Sequence, residues 1–176
     1  MIRIALATIA LMSAAAAARA DSVKIPRSVL EAGFKQAECT IDVKEIDDEY
    51  EVQPLSGKLK LVEVYCWRAA YQAGSIFFVV DPAAPDKAQL VRFRTWHTGK
   101  KRLDWTHSLT SPDYNAKTKQ LGMAHKGRGV GDCGETASWK WTGREFRLTG
   151  YWSKPDCDGE PFDDDKKWRV YPPRKR

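Results

Sequence analysis

Trp139-Lys140-Trp141-Thr142-Gly143-Arg144-Glu145-Phe146-Arg147-Leu148 is the stretch that decides the fold. Apolar and charged residues alternate on either side of its middle, the period of a strand with one covered face. Thr142-Gly143-Arg144 supplies the glycine a tight reversal needs, so the two halves read as an antiparallel hairpin. Upstream, Gln89 to Trp96 alternates in the same way, with Val91 and Phe93 inward and Arg92 and Arg94 outward. Ser75 to Val80 is a continuous apolar run bounded by Gly74 and Asp81-Pro82, short enough for a buried strand. Lys58 to Trp67 is apolar on both faces, with Leu59, Leu61 and Tyr65 against Val62, Val64 and Cys66, which makes it central. Trp168 to Tyr171 reads as a last edge strand before Pro172-Pro173 and a basic tail. Before all of these, Pro26 opens a short helix through Val29, Leu30 and Phe34 that ends near Ala37. The pattern predicts a mainly β chain: one antiparallel β domain over 21–176, a barrel, a sandwich or a curled meander, with one short N-terminal helix. No linker or second domain is visible.

The first 20 residues read as a cleavable signal peptide. Met1-Ile2-Arg3 is a basic start, Ile4 to Ala18 is uncharged and apolar, and Ala18-Arg19-Ala20 offers small residues for a cut before Asp21. The apolar run is shorter than the roughly 20 residues that span hydrocarbon. The whole chain has 29 Lys and Arg against 23 Asp and Glu, a net charge of +6. Arg3 and Arg19 leave with the leader, so the remaining part carries 27 basic residues against 23 acids, or +4. A mild positive charge favours anionic partners. In an exported chain this points to an envelope polymer or another exported protein, periplasmic or secreted, and away from nucleic acid and from a membrane span.

Cys39, Cys66, Cys133 and Cys157 all follow the leader. An even count in an oxidising compartment argues for disulfides, and the absence of a CxxC knuckle argues against zinc. Three pairings are possible. Cys39–Cys66 with Cys133–Cys157 is favoured because each closes a local stretch of β-structure. On the chain-entropy model each such loop stabilises by roughly 3–4 kcal/mol.

The most unusual stretch is Lys126-Gly127-Arg128-Gly129-Val130-Gly131-Asp132-Cys133-Gly134. Gly129, Gly131 and Gly134 formally match a dinucleotide fingerprint, but they lead into a strand pattern, not a helix, and no βαβ unit exists. Two readings stay open: a tight loop held by Cys133, or a loop whose N–H groups, Lys126 and Arg128 face an anion. On the second, Lys126, Arg128, Asp132, Trp139 and Trp141 form a binding surface.

Lys126 to Gly134, followed by Trp139-Lys-Trp141-x-Gly143-x-x-Phe146-x-Leu148 and Cys157-Asp-Gly159, resembles the bacterial domain-of-unknown-function family 1176. Cys66-Trp67-Arg68-Ala69-Ala70-Tyr71-Gln72, followed by Ile76-Phe77-Phe78, fits the same pattern. The resemblance runs from about Cys39 to Gly159. It implies an exported bacterial protein without an assigned activity, and many members are longer than this chain. It supplies no catalytic residue and no cofactor. The Trp-containing hairpin is also similar, in architecture only, to small periplasmic lysozyme inhibitors.

Arg92, Arg94, Lys100, Lys101 and Arg102 interleave with Trp96, His97, Trp105 and His107, a mixture that grips acidic glycans or merely solvates a strand edge. His97, His107 and His125 lack the close pair that zinc sites use. Asp156, Asp158, Glu160, Asp163, Asp164 and Asp165 lack the ligand spacing of an EF-type calcium loop. No serine sits in a Gly-x-Ser-x-Gly elbow. The expectation is a non-enzymatic envelope protein that binds an anionic or macromolecular partner, with no metal or cofactor. The alternatives are an inhibitor of a lysozyme-like hydrolase and a cell-wall-acting enzyme.

Overall fold

The structure is a computed structural model that describes residues 23–46, 50–162 and 165–173. The leader read over 1–20 lies outside the described residues. Helix α1 (Arg27–Ala37) begins directly after Pro26 and ends where Glu38 turns left-handed, φ 56°. Its buried side is Leu30, Gly33 and Phe34, the i, i+3, i+4 spacing of one helical face. Gly33 is required there: a Cβ would lie 2.5 Å from the Phe78 ring, so the helix approaches the sheet more closely than alanine allows.

The first sheet runs in the order β1 (Glu51–Ser56), β2 (Leu59–Arg68), β3 (Ala73–Val80), β4 (Gln89–Leu90). Strands β5 (Phe93–His97) and β6 (Arg102–Thr106) pair as a separate hairpin, and β7 (Ser108–Thr110) returns to the start of β3. Then come β8 (Asp113–Asn115), β9 (Gln120–Lys126), β10 (Gly134–Trp141) and β11 (Phe146–Lys154). A single helical turn, α2 (Asp165–Trp168), precedes β12 (Arg169–Tyr171). The second sheet has the order β12-β11-β10-β9-β8, and every pairing is antiparallel.

Apolar residues on both faces of β2 and β3 produce two cores. One face gives Val62, Val64, Ile76, Phe78 and Val80 to a layer with Leu30, Phe34, Val23 and Ile25. The other gives Leu61 and Phe77 to a core shared with Leu121, Trp139, Trp141 and Leu148 of the second sheet. Phe93 sits at its centre, with ring centroids 5.8 Å from Phe77, 5.5 Å from Trp139 and 5.7 Å from Phe146. The result is three layers, helix on sheet on sheet, with the β5–β6 hairpin at one side. Burying each such ring contributes about 1.5–3 kcal/mol.

The disulfides are Cys39–Cys66, with Cα atoms 4.6 Å apart, and Cys133–Cys157, at 4.8 Å. The first ties the end of α1 to β2. The second ties the glycine-rich loop to the segment after β11. Two strands differ from the sequence reading. The run Gln89 to Trp96 is split between two sheets, because Val91 still donates its N–H to Phe77 while the chain turns at Arg92. Trp168 closes the turn of α2, so the last strand starts one residue later.

Candidate functional site

The glycine-rich loop is satisfied from within. Arg128 holds Asp132 through two side-chain bonds, Nε to Oδ1 at 2.7 Å and Nη2 to Oδ2. Asp132 is 6% exposed and also accepts the N–H of Gly159 at 2.7 Å. The Arg128 guanidinium, outweighing the opposite effect of burial, holds this carboxyl well below the usual carboxylate range. The loop's anion is therefore its own aspartate. Lys154, 1% exposed, donates to the carbonyls of Asp132 at 2.7 Å and Glu160 at 2.8 Å and to the Asp158 carboxylate. Asp158 thus serves a lysine within the acidic segment; Asp163 and Asp164 lie outside the described residues. Gly134 has φ 138°, and a Cβ on it would lie 2.0 Å from the His125 carbonyl, so the chain can close here only with glycine.

The surface expected from Lys126, Arg128, Asp132, Trp139 and Trp141 does not assemble. Lys126 and Arg128 are exposed. Trp139 is 0% exposed and Trp141 is 7%, since the alternation of β10 points both rings into the core between the sheets. Trp139 Nε1 donates to the Arg94 carbonyl at 2.7 Å. Among the described residues, the group of potential metal ligands in close proximity is Asp132, Cys133 and Cys157, and both sulfurs are in a disulfide.

What the structure does bring together is the outer face of the β5–β6 hairpin. Arg94 lies opposite Trp105 in the register, so both side chains stand on one face. The Arg92 guanidinium is 4.3 Å from the Trp105 ring centre and that of Arg94 is 4.9 Å away. Trp105 is 42% exposed. Arg92 and Trp105 border a hollow of about 370 Å³, with Arg144 from the β10–β11 hairpin tip at its rim and Trp141 and Phe146 in its wall. Trp141 Nε1, buried in that wall, has no hydrogen-bond partner. Among the described residues no carboxylate forms an ion pair with Arg92, Arg94 or Arg144. Their neighbours differ: Lys100 and Arg102 pair with Asp104, and Arg147 pairs with Glu145.

A family model described as a protein of unknown function (DUF1176) matches residues 4–172. The chain belongs to the DUF1176 family. The uncharacterized protein YpfG of Escherichia coli (strain K12) is 29% identical over 121 residues, 68% of this chain and 34% of that protein. The chain thus spans about a third of the length of this curated relative. No solved structure matches it.

Membership in DUF1176 confers no catalytic assignment, so chemistry must be read from geometry. Glu135 on β10 lies between His125 of β9 and Ser153 of β11 in the register. A serine relay needs the histidine in the middle, so these three residues are ordered wrongly for it. His107 is engaged elsewhere, through Nδ1 with the Val91 carbonyl at 3.1 Å. In this DUF1176 chain, Arg92, Arg94 and Trp105 stood out in the sequence as an interleaved basic and aromatic run. Arg144 did not, because nothing local shows that the β10–β11 tip meets the β4–β5 corner. No helix among the described residues is long and apolar enough to cross a membrane.

Proposed function

We propose that this DUF1176 chain is an exported, extracytoplasmic binding protein that takes an anionic envelope polymer on the face formed by Arg92, Arg94, Trp105 and Arg144. The observation that carries this reading is the stack itself: two guanidiniums on one exposed indole, neither of them in an ion pair among the described residues. Two like charges held near one ring repel each other, and a sulfate, phosphate or carboxylate of a partner relieves that repulsion while the ring keeps both cations oriented. Each exposed pair contributes only about 0.2–1 kcal/mol. Useful affinity therefore requires a repeating anion that engages the three arginines together. Two disulfides support the compartment, since such bonds persist where the surroundings oxidise.

The test is titration of the oxidised protein with dextran sulfate and, in parallel, with uncharged dextran. Binding to the charged polymer that weakens with salt and falls at least about tenfold in Arg92→Ala/Arg94→Ala supports the reading. Equal binding of both polymers, or an unaffected double variant, removes it.

A further inference from the structure

On the other side of the same hairpin lies a groove of about 530 Å³, within the ordinary range for small-ligand sites. In the register Thr95 stands opposite Asp104 and His97 opposite Arg102, on the face away from Arg94 and Trp105. The inner face of the second sheet forms the far wall. It grades from the apolar set Leu121, Trp139 and Leu148 through Met123, Ala137 and Tyr151 to the polar set His125, Glu135 and Ser153. The sandwich core thus opens into a polar mouth.

The groups in that mouth have fixed hydrogen-bonding roles. Gln72 accepts the Lys126 N–H through Oε1 at 3.0 Å, which turns its amide nitrogen toward His125 Nδ1, 3.4 Å away. An amide nitrogen only donates, so Nδ1 accepts and the neutral ring carries its hydrogen on Nε2. His97 Nδ1 likewise accepts the Lys100 N–H at 3.2 Å, again leaving Nε2–H. Both groove imidazoles are therefore donors at their remaining nitrogen. Opposite them, Glu135 accepts Thr98 Oγ1 at 3.3 Å and keeps further lone pairs. The Tyr151 hydroxyl is buried beside Glu135; burial first, then this carboxylate, keeps it protonated well above ordinary phenol pKa values.

We propose that this groove binds a hydroxyl-rich saccharide ring. The occupant must accept from imidazole N–H groups and donate to a carboxylate within one small space. Sugar hydroxyls do both, and Met123 offers apolar surface to the ring's C–H face. An anion is disfavoured by Glu135. A bare cation would leave the two imidazole donors unused. Trp105 borders both hollows, while the hydrogen-bonding groups of this one lie on the hairpin face away from Arg94.

The experiment titrates the full oxidised chain with maltotriose and with chitotriose, followed by saturation-transfer NMR. Concentrations reach about 10 mM, where even a millimolar site fills. At least one sugar binds, with an affinity unchanged in about 0.5 M salt and in Arg92→Ala/Arg94→Ala. Glu135→Gln and, separately, the exposed-site variant His97→Ala each weaken it roughly fivefold or more, the loss of one hydrogen bond. His97→Ala serves as the test should Glu135→Gln fail to fold. Binding of neither sugar overturns the proposal, as does binding that survives these substitutions. Loss of dextran sulfate binding alone leaves the saccharide site standing and overturns only the arginine face.

Discussion

Replacing Lys154 by methionine tests whether the glycine-rich loop is held as a structural unit. The side chain is 1% exposed and its Nζ reaches the carbonyls of Asp132 and Glu160 and the carboxylate of Asp158. It also lies 5.5 Å from the centre of the Trp168 ring. Methionine has similar length and removes all three donors. The Asp158 side chain is 48% exposed and regains water, so its share of the loss is smallest. The two carbonyls lose a charged donor, at about 1–3 kcal/mol each. Burying the thioether in place of an ammonium returns about 1 kcal/mol. The expected net loss is about 2–4 kcal/mol, or a melting temperature lower by about 5–15 °C for a domain of this size. Urea unfolding of the oxidised protein should show a lower midpoint with an unchanged slope, and Lys126→Met, at an exposed position, should stay within about 0.5 kcal/mol of the parent. A loss below about 1 kcal/mol for Lys154→Met would refute the reasoning, because it would mean the three bonds contribute no net stability.

Trp139→Phe should cost about 2–4 kcal/mol, since it empties core volume and leaves the Arg94 carbonyl without its donor, whereas Trp141→Phe removes an unpartnered N–H and should cost about 1 kcal/mol. Equal losses in denaturant unfolding would contradict that difference. Burial raises the pKa of Glu63 in the fold, with the Glu51 and Asp113 charges adding to it and the nearby Ser75 hydroxyl opposing it. The native state then binds the proton more tightly than the unfolded chain, so stability falls as pH rises from about 4.3 through the raised value. Glu63→Gln should therefore be more stable than the parent at neutral pH and equal to it in acid, and a destabilised variant at pH 7 would sink this account. Reducing Cys39–Cys66 and Cys133–Cys157 should remove roughly 3–4 kcal/mol per bond, read as a large drop in melting temperature; an unchanged transition would show that the cysteines contribute nothing.

Strand content was legible because alternation and two-faced apolar runs report directly on burial. Lys58 to Trp67 reads as central, and the strand observed over Leu59–Arg68 is central, packed on both faces. Both disulfides were legible as well, since each joins segments that the hairpin order already brings near. Sheet membership was not. Gln89 to Trp96 alternates without a break, and only the tertiary turn at Val91 and Arg92 shows that the chain changes partners there. The site was legible in part for the same reason. A tryptophan between charged residues looks the same whether its ring faces solvent or core, so Trp139 and Trp141 read as a surface while Trp105, in similar company, is the ring that is exposed. Self-neutralisation was also hidden: Arg128 and Asp132 stand four apart in a loop, and nothing local shows that they close on each other. Glu135 and Tyr151 carried no signal at all, because their role depends on a hairpin folding over them.

The β5–β6 hairpin, not the glycine-rich loop, is the proposed anion-binding face. An NMR titration of the oxidised protein with dextran sulfate follows both at once. The prediction is that the Trp105 indole N–H resonance and the side-chain signals of Arg92 and Arg94 move with added polymer, while the Trp139 indole and the amides of Gly127 to Gly134 stay still. Shifts centred on Gly127 to Gly134, with Trp105 unmoved, would contradict it.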